Sequence, residues 1–407
     1  MTAALAIFLV TYAIIGIQRI PKLHIGRPAG ALLGACAMVA FGVVTFDEAK
    51  RAIDLDTILF LLGMMIVLGY LELSGFFEIL ERRILRFAGS ARSLLLLVVA
   101  SSGVLSALFM NDTICLMLAP IVLRVTRRLE VGAAPYLIAL AVSSNVGSAC
   151  SIVGNPQNAL IGVTSGIGLL AFARGLWPVS LAGLAATAGL LSLIYRREIT
   201  GAPLAVPPPR DPRALQRWMM VASLGSGAGM FAALAGGVAP AAAAMGAAAV
   251  LVLAGATRPR LALQKVDWSL LLFFGGLFVL MRGVADAGIS DAIVRGIAGP
   301  LGGASQGETA RLAAGVTVLS QLVSNVPAVM LFIPTLQAVP PSASHRLWLA
   351  LAAFATLAGN LTIIGSVANI IVFETARREG VEVSFFGYLR VGLPLTLVTL
   401  LLAWIWI

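Results

Sequence analysis

Long apolar segments recur along the whole chain, and they constrain its fold more than any other feature. Most approach the ~20 residues that a helix needs to cross the hydrocarbon core of a bilayer. Because 59% of the residues are hydrophobic and only 11% are charged, a soluble core could not hide them. The segments are continuously apolar rather than alternating, which excludes a transmembrane β-barrel. The sequence therefore predicts an all-α polytopic membrane protein. Full spans are expected near 1–17, 28–46, 56–73, 134–173, 176–195, 218–236, 240–256, 268–282, 347–376 and 388–406.

The net charge of +10 does not require a nucleic-acid partner. In a multi-pass protein, basic residues collect in cytoplasmic loops, so the partner implied by composition is the lipid bilayer. Cys36, Cys115 and Cys150 lie in apolar segments without a metal-binding spacing, and we expect them to be small buried side chains. Residues 1–17 lack a basic start and a cleavage site, which favours a first membrane span over a removable signal.

The two halves of the chain resemble each other in sequence. LSALFMNDTICLMLAPI (105–121) aligns with LSQLVSNVPAVMLFIPT (319–335), and VGNPQNALI (153–161) aligns with IGSVANIIV (364–372). A Pro-rich charged stretch separates the halves. We therefore predict an N-terminal repeat at 1–195, a cytoplasmic linker at 196–217 and a C-terminal repeat at 218–407. Each repeat is expected to contain a re-entrant hairpin (near 93–123 and 311–338) and a broken helix (near 134–173 and 347–376).

An inverted topology follows if each hairpin enters and leaves on one side of the membrane. Each repeat then has about five full spans, and an odd number inverts the second repeat relative to the first. With both chain termini outside, 21 of the 28 basic residues fall in cytoplasmic segments, as the positive-inside rule requires. The sequence thus predicts a multi-pass protein of the inner (plasma) membrane with its N- and C-termini outside the cytoplasm.

Polar residues interrupt the apolar pattern at four places in mid-span, and each interruption resembles a helix start. Asparagine, aspartate and serine are preferred helix N-caps, and a broken helix in lipid must line a protein cavity. Four such starts, related by the repeat, predict one central polar site. The expected substrate-binding residues are Asn111, Asp112, Asn155, Asn158, Ser324, Asn325, Ser366 and Asn369.

Asp112 is the ionisable residue at these interruptions, and Val326 stands at its counterpart in the second repeat. Placing a charge at mid-bilayer costs about 2.5–3.5 kcal/mol on insertion scales, so such residues usually face a cavity and have a function. Asp112 could carry a proton or bind Na⁺ as a carboxylate. The alternative is a structural role as the N-cap of the following helix.

The spacing of Asn111 to Pro120, repeated from Asn325 to Pro334, resembles the paired hairpin tips of the ion transporter superfamily. SSNVGSACSIVGNPQNALIG (143–162) and LAGNLTIIGSVANIIV (357–372) are similar to its two broken-helix loops. The superfamily includes divalent anion:sodium symporters, citrate transporters, arsenite permeases and NhaD-type sodium/proton antiporters. The resemblance implies two opposed hairpins with the substrate between their tips. It also implies coupling ions near Asn111, Asp112, Asn145, Gly154, Asn325, Asn360 and Gly365.

Within the superfamily, the Asn111–Asp112 pair is similar to the arsenite-permease branch of the citrate-transporter-like proteins. Dicarboxylate symporters carry Ser-Asn-Thr at both tips, whereas this chain has Met-Asn-Asp and Ser-Asn-Val. The expected function is secondary active transport of a small inorganic anion or arsenite-type metalloid, coupled to H⁺ or Na⁺. A sodium/proton antiporter and a sodium-coupled di- or tricarboxylate symporter are the alternatives. We expect no enzyme activity, no cofactor and no bound metal, and a homodimer is possible.

Overall fold

The fold is described from a computed structural model over residues 2–17, 26–200, 216–254, 259–302 and 305–407. Most of the predicted linker, at 201–215, lies outside these residues. The described chain is helical and contains no strand. The helices of the first half are α1 (Thr2–Ile17), α2 (Arg27–Ala40), α3 (Phe46–Ala52), α4 (Leu55–Leu73), α5 (Phe76–Phe87), α6 (Ala91–Leu108), α7 (Asn111–Arg128), α8 (Ala134–Ser148), α9 (Pro156–Ser165) and α10 (Leu169–Ile194).

The second half has a matching order of helices. They are α11 (Arg217–Ala235), α12 (Pro240–Leu253), α13 (Pro259–Leu263), α14 (Trp268–Asp286), α15 (Ile289–Ala298), α16 (Gln306–Val323), α17 (Asn325–Gln337), α18 (Pro341–Ala358), a short 3₁₀ turn (Ile363–Gly365), α19 (Val367–Arg378) and α20 (Phe385–Trp406). Among the described residues, α4, α6, α10, α11, α14 and α20 are long and apolar enough to cross a membrane. The prediction of an all-α multi-pass membrane protein is confirmed.

The first broken helix ends earlier than its apolar composition predicts. Its second part, α9, stops at Ser165 because Gly166 adopts a left-handed conformation with φ of 70°, which glycine accepts without steric cost. After extended Gly168, α10 begins at Leu169, seven residues before the predicted start of that span. Apolar residues continue through both helices, so hydropathy alone does not mark the break.

Helices from the two halves pack against each other reciprocally. One group consists of α2, α4, α12 and α14, which we call the scaffold helices. In this group α4 packs on α12, and α14 packs on α2. In the other, which we call the hairpin group (α6–α9 and α16–α19), α7 packs on α19 and α17 packs on α9. Such exchanges of equivalent contacts are those that an inverted repeat would make.

The two scaffold contacts use equivalent glycine–alanine pairs. A Cβ atom on Gly63 of α4 would lie 2.5 Å from the backbone of Ala244 in α12. A Cβ atom on Gly276 of α14 would lie 2.8 Å from the backbone of Ala31 in α2. Gly276 lies 213 residues after Gly63, and Ala244 lies 213 residues after Ala31. The two pairs therefore occupy equivalent positions in the two halves. Small residues here allow the backbones to approach closely, as is common where helices pack within membranes.

Substitution of Gly63 by alanine is therefore expected to destabilise the protein by about 1–3 kcal/mol, because the added methyl group overpacks the α4–α12 contact. Gly246 on α12 is a matched control, since a Cβ atom there meets open space. Gly246→Ala should be neutral or stabilising by up to about 1 kcal/mol, because alanine is the better helix former. Thermal unfolding in detergent measures both, and equal effects of the two substitutions would contradict the packing argument.

Side-chain contacts at the helix ends join segments that the predicted topology places on the same side. At the predicted cytoplasmic end, Lys265 Nζ lies 2.6 Å from Glu72 Oε1, and Arg127 Nη2 lies 3.1 Å from Glu379 Oε2. At the opposite end, the indole nitrogen of Trp406 donates to the carbonyl oxygen of Gly175 at 2.8 Å. None of these contacts conflicts with the inverted arrangement.

Candidate functional site

The tip of the first hairpin lies against the loop of the first broken helix. The backbone N–H of Asn111 donates to the carbonyl oxygen of Gly154 at 2.8 Å, and the Asn111 side-chain nitrogen donates to Asn145 Oδ1 at 2.9 Å. Gly154 permits this approach because a Cβ atom would collide with the backbone of Ser148. Asn111 and Gly154, both predicted at the site, are thus in direct contact.

The tip of the second hairpin lies against the other loop in a corresponding way. With the Asn325 amide in the orientation that pairs its nitrogen with acceptors, that nitrogen donates to the carbonyl oxygens of Gly365 and Ala355, each at 3.2 Å. Ser324, between α16 and α17, holds a φ of 74°, a conformation that costs a non-glycine residue about 1–3 kcal/mol. Strain of this kind is concentrated at functional sites and is maintained by the surrounding packing.

Asn145 joins the two halves at the centre of the site. Its side-chain nitrogen donates to Asn360 Oδ1 at 2.8 Å and to Asn369 Oδ1 at 3.2 Å. Its oxygen accepts a hydrogen bond from Ser366 Oγ at 3.1 Å, besides the one from Asn111. A single buried amide from the first broken helix therefore contacts the first tip and the second loop.

Thr356 makes the reciprocal connection from the second broken helix to the first loop. Its hydroxyl oxygen accepts hydrogen bonds from the side-chain nitrogens of Asn155 and Gln157, each at 3.2 Å. The same hydroxyl lies 3.4 Å from Asn158 Oδ1. Thr356 is 211 residues after Asn145, the offset that aligns the two loops. The two broken helices thus exchange hydrogen bonds through equivalent positions.

Asn158 and Asn369 hold the two loops in shape. The Asn158 side-chain nitrogen contacts the carbonyl oxygens of Ser148, Ala149 and Ser151 at 3.1–3.2 Å. The Asn369 side-chain nitrogen contacts the carbonyl oxygens of Gly359 and Thr362 at 2.9 and 3.0 Å. Both asparagines are fully buried, where unpaired backbone carbonyls would be costly. They are structural supports for the loops behind the tips.

Two neighbouring cavities lie between the predicted cytoplasmic end and the tips. The outer one, about 70 Å³, lies between scaffold helices α4 and α14 on one wall and α7 and α19 on the other. The inner one, about 20 Å³, lies between the two hairpin tips and is lined by Asn111, Gln157, Ser324, Asn325 and Ser366, among others. Asp112, Leu270 and Val367 line both cavities.

Asp112 lines both cavities. Its side chain is half-buried, and the backbone of Ala368, the Asp267 carboxylate and the Arg27 guanidinium are near enough to influence its charge. The interpretation of Asp112 as a helix N-cap is wrong, because α7 begins at Asn111 and its N-cap position is Met110. The carboxylate is available to a solute in the cavity.

The predicted helix starts differ in how they are capped. The Asn155 side chain accepts the N–H of Asn158 at 2.9 Å, as predicted for an N-cap. Ser324 and Ser366 occupy N-cap positions without a side-chain hydrogen bond to the following helix, and Ser366 instead donates to Asn145. Cys115 is buried as expected, whereas Cys36 is exposed and Cys150 is only partly buried.

The structure adds residues that sequence patterns did not single out. Gln157 lines the inner cavity, and Thr356 could have been found by applying the 211-residue offset to Asn145. Ser106 and Ser320, on the first arms of the two hairpins, carry buried hydroxyls without a hydrogen-bond partner. They are equivalent in the repeat. Glu72, Lys265 and Asp267 line the outer cavity, and nothing in the local sequence indicates this.

Comparisons with known proteins agree with this architecture. A family model described as citrate transporter matches residues 8–355. The chain is 33% identical to the silicon efflux transporter LSI3 of Oryza sativa subsp. japonica, covering 93% of this chain and 92% of that protein. It is 31% identical to a 46 kDa membrane protein of Mycobacterium leprae, covering 99% and 97%. A Dictyostelium discoideum protein carrying the transporter name arsB is 31% identical over 44% of this chain and 31% of that protein.

Among solved structures, the YdaH transporter of Alcanivorax borkumensis is similar in fold. The TM-score is 0.55, with 15% sequence identity over 99% of this chain and 97% of that one. At this identity the likeness concerns the fold alone. The family model covers most of the chain, and the relatives with near-complete coverage are membrane proteins or transporters. The chain therefore belongs to the citrate transporter family and is a secondary membrane transporter.

Proposed function

We propose that this protein transports a small uncharged metalloid hydroxide, of the arsenous or silicic acid kind, in exchange for protons carried by Asp112. The observation that carries the proposal is the lining of the inner cavity. Amides, hydroxyls and apolar side chains surround one carboxylate there, and the described residues that line this cavity include no lysine or arginine. A solute bound between the tips would meet hydrogen-bonding groups and a single negative charge.

The charge of this lining disfavours citrate and other polycarboxylates. Such a substrate would place two or three negative charges beside Asp112 without a basic side chain to pair with them, and burial of unpaired like charges is strongly unfavourable. A neutral hydroxide can donate its O–H groups to the carboxylate and accept hydrogen bonds from the Asn and Gln amides. The departures from Ser-Asn-Thr at both tips agree with this preference.

The size of the cavities also favours a small solute. A cavity needs roughly 10–15 Å³ to hold one water molecule, so the outer cavity of about 70 Å³ accommodates only a few water-sized groups. One relative is named a silicon efflux transporter, and another is named a putative transporter arsB. Their similarity supports a hydroxide of this chemical class as the substrate.

The coupling ion is proposed to be a proton at Asp112, and the direction is proposed to be export. The outer cavity opens toward the end that the distribution of basic residues assigns to the cytoplasm. A proton entering from outside would neutralise the carboxylate after the solute has left. The inner-membrane location and the outside position of both termini belong to the same proposal.

A second candidate, a sodium/proton antiporter, is favoured by one feature. The inner cavity of about 20 Å³ has room for a single ion beside the Asp112 carboxylate and the neighbouring amide oxygens. In that case Na⁺ and H⁺ would compete for Asp112, and no metalloid would be required. The unpaired hydroxyls of Ser106 and Ser320 would be further oxygen ligands close to the tips.

Transport by purified protein in proteoliposomes tests the proposal. A pH difference of one unit stores about 1.4 kcal/mol, which supports about tenfold accumulation when one proton is exchanged. We expect acid-loaded vesicles to accumulate arsenous or silicic acid to about this level without Na⁺, and to leave citrate outside. Accumulation of citrate driven by Na⁺ would overturn the proposal. A proton flux triggered by Na⁺ alone would identify the antiporter.

A further inference from the structure

The wall of the outer cavity opposite Asp112 carries a set of charged residues that the proposed function does not use. Glu72, at the end of α4, and Lys265 and Asp267, just before α14, all line this cavity together with Asp112. They belong to the scaffold helices and their flanking residues, whereas Asp112 belongs to the hairpin group. We call Glu72, Lys265 and Asp267 the filter wall.

The single ammonium of the filter wall is already neutralised. Lys265 Nζ lies 2.6 Å from Glu72 Oε1, and the two side chains are 39% and 23% exposed, so the pair lies at the edge of the cavity. Asp267 caps α14 through one oxygen, Oδ1, which accepts the N–H of Leu270 at 3.0 Å. The backbone N–H donates a hydrogen bond but does not transfer its proton, so this bond does not neutralise the carboxylate.

Charge in the outer cavity is therefore predominantly negative. Among the residues that the structure describes, three carboxylates and one ammonium line it, and Arg27, which also influences Asp112, is not one of the lining residues. An anion entering from the cytoplasmic end would meet Asp267 before it reaches Asp112, with Lys265 already paired. Asp267 is exposed, so it acts at the mouth of the cavity, where like charges still repel one another although salt screens them more than in a dehydrated interior.

The other end of the scaffold repeats the arrangement. Asp54 caps α4 as Asp267 caps α14, with its Oδ1 accepting the N–H of Thr57 at 3.0 Å. The last residue of α14 is Asp286, 2.7 Å from Arg282, and its equivalent in α4 is Leu73, one residue after Glu72. At each end, α4 and α14 together therefore provide one capping aspartate and one further carboxylate that pairs with a basic residue.

We infer that the filter wall is a specificity determinant, with Asp267 and the Glu72–Lys265 pair excluding anions from the passage to Asp112. This inference deepens the proposed function, since it explains how a neutral hydroxide would be selected over charged oxyanions such as phosphate or arsenate. Loss of either carboxylate should admit anions. If the Lys265 ammonium is removed, the cavity should exclude anions more strongly.

The reactivity of a cysteine in the cavity tests the filter wall without any transported solute. Thr113 lines the outer cavity, and Thr113→Cys can be made after replacement of Cys36, Cys115 and Cys150. The measurement is the ratio of reaction rates with a trimethylammonium-bearing and a sulfonate-bearing methanethiosulfonate. We expect Asp267→Asn and Glu72→Gln to lower this ratio about three- to tenfold, and Lys265→Gln to raise it.

Asp286→Asn is the matched control, because Asp286 lies at the opposite end of α14 and should leave the ratio unchanged. Equal ratios in the parent and all three filter-wall variants would overturn the inference. Where metalloid transport is measurable, its inhibition by arsenate should also strengthen in Asp267→Asn, and unchanged inhibition would contradict the specificity role. Absence of metalloid flux would reject the proposed function alone, since the reagent ratio does not depend on that solute.

Discussion

Replacement of Asp112 by asparagine should abolish proton-coupled transport and weaken solute binding. The amide has nearly the same shape, but it cannot exchange a proton in this pH range and offers no charged acceptor. A hydrogen bond to a charged group contributes about 1.5–3 kcal/mol, which corresponds to roughly a 10- to 100-fold loss of apparent affinity. Uptake into acid-loaded proteoliposomes would measure the coupling, and its dependence on solute concentration would measure the affinity.

Asp291→Asn is a suitable control for this experiment. Asp291 is an exposed carboxylate on α15 whose side chain contacts Thr335 Oγ1 at 3.3 Å, away from both cavities. Its substitution should leave transport unchanged. If Asp112→Asn still accumulated solute against its gradient under a pH difference, the assignment of Asp112 as the proton carrier would have to be abandoned.

Replacement of Asn145 by alanine should have the largest effect on stability. The substitution removes the amide that pairs with Asn111, Asn360, Asn369 and Ser366, and it leaves their buried polar atoms without partners. Each unsatisfied group costs about 1–3 kcal/mol, and partial rearrangement should keep the total loss near 2–5 kcal/mol. Thermal unfolding in detergent would show the loss, and transport should fail because the first tip loses its contact with the second loop.

Thr187→Val provides the comparison for Asn145→Ala. The Thr187 hydroxyl is equally buried but donates only to the carbonyl oxygen of Gly183 in its own helix, at 2.8 Å. That carbonyl keeps its place in the helix, so the expected loss is under about 1 kcal/mol. A stability loss for Asn145→Ala no greater than that for Thr187→Val would mean that the asparagine network does not hold the two halves together.

Much of this architecture was accessible from the sequence because apolar length and asparagine placement are local signals. The long apolar segments predicted the all-helical membrane fold. All seven asparagines of the chain fall at the hairpin tips or in the two broken helices and their loops, and every one of them takes part in the hydrogen bonds described above. An amide is costly in lipid unless it is paired, so its position in an apolar chain is informative.

Other features depend on contacts between distant parts of the chain and were not accessible in this way. The exchange between Asn145 and the second loop joins residues more than 200 positions apart. The role of Met110 as the N-cap residue of α7 depends on the backbone at the tip, which overrides the usual preference for Asn and Asp at that position. Glu72, near the end of a span, and Lys265, in a loop, look like ordinary interfacial charges until the packing of α4 against α12 and α13 brings them together.

The response of internal pH to arsenous acid, in proteoliposomes without Na⁺, tests the central claim most directly. If Asp112 exchanges protons for a neutral metalloid hydroxide, external arsenous acid should raise the internal pH of acid-loaded vesicles that contain the protein, and vesicles with Asp112→Asn should not respond. No pH change with arsenous or silicic acid, together with a clear one on addition of Na⁺ or citrate, would contradict the account.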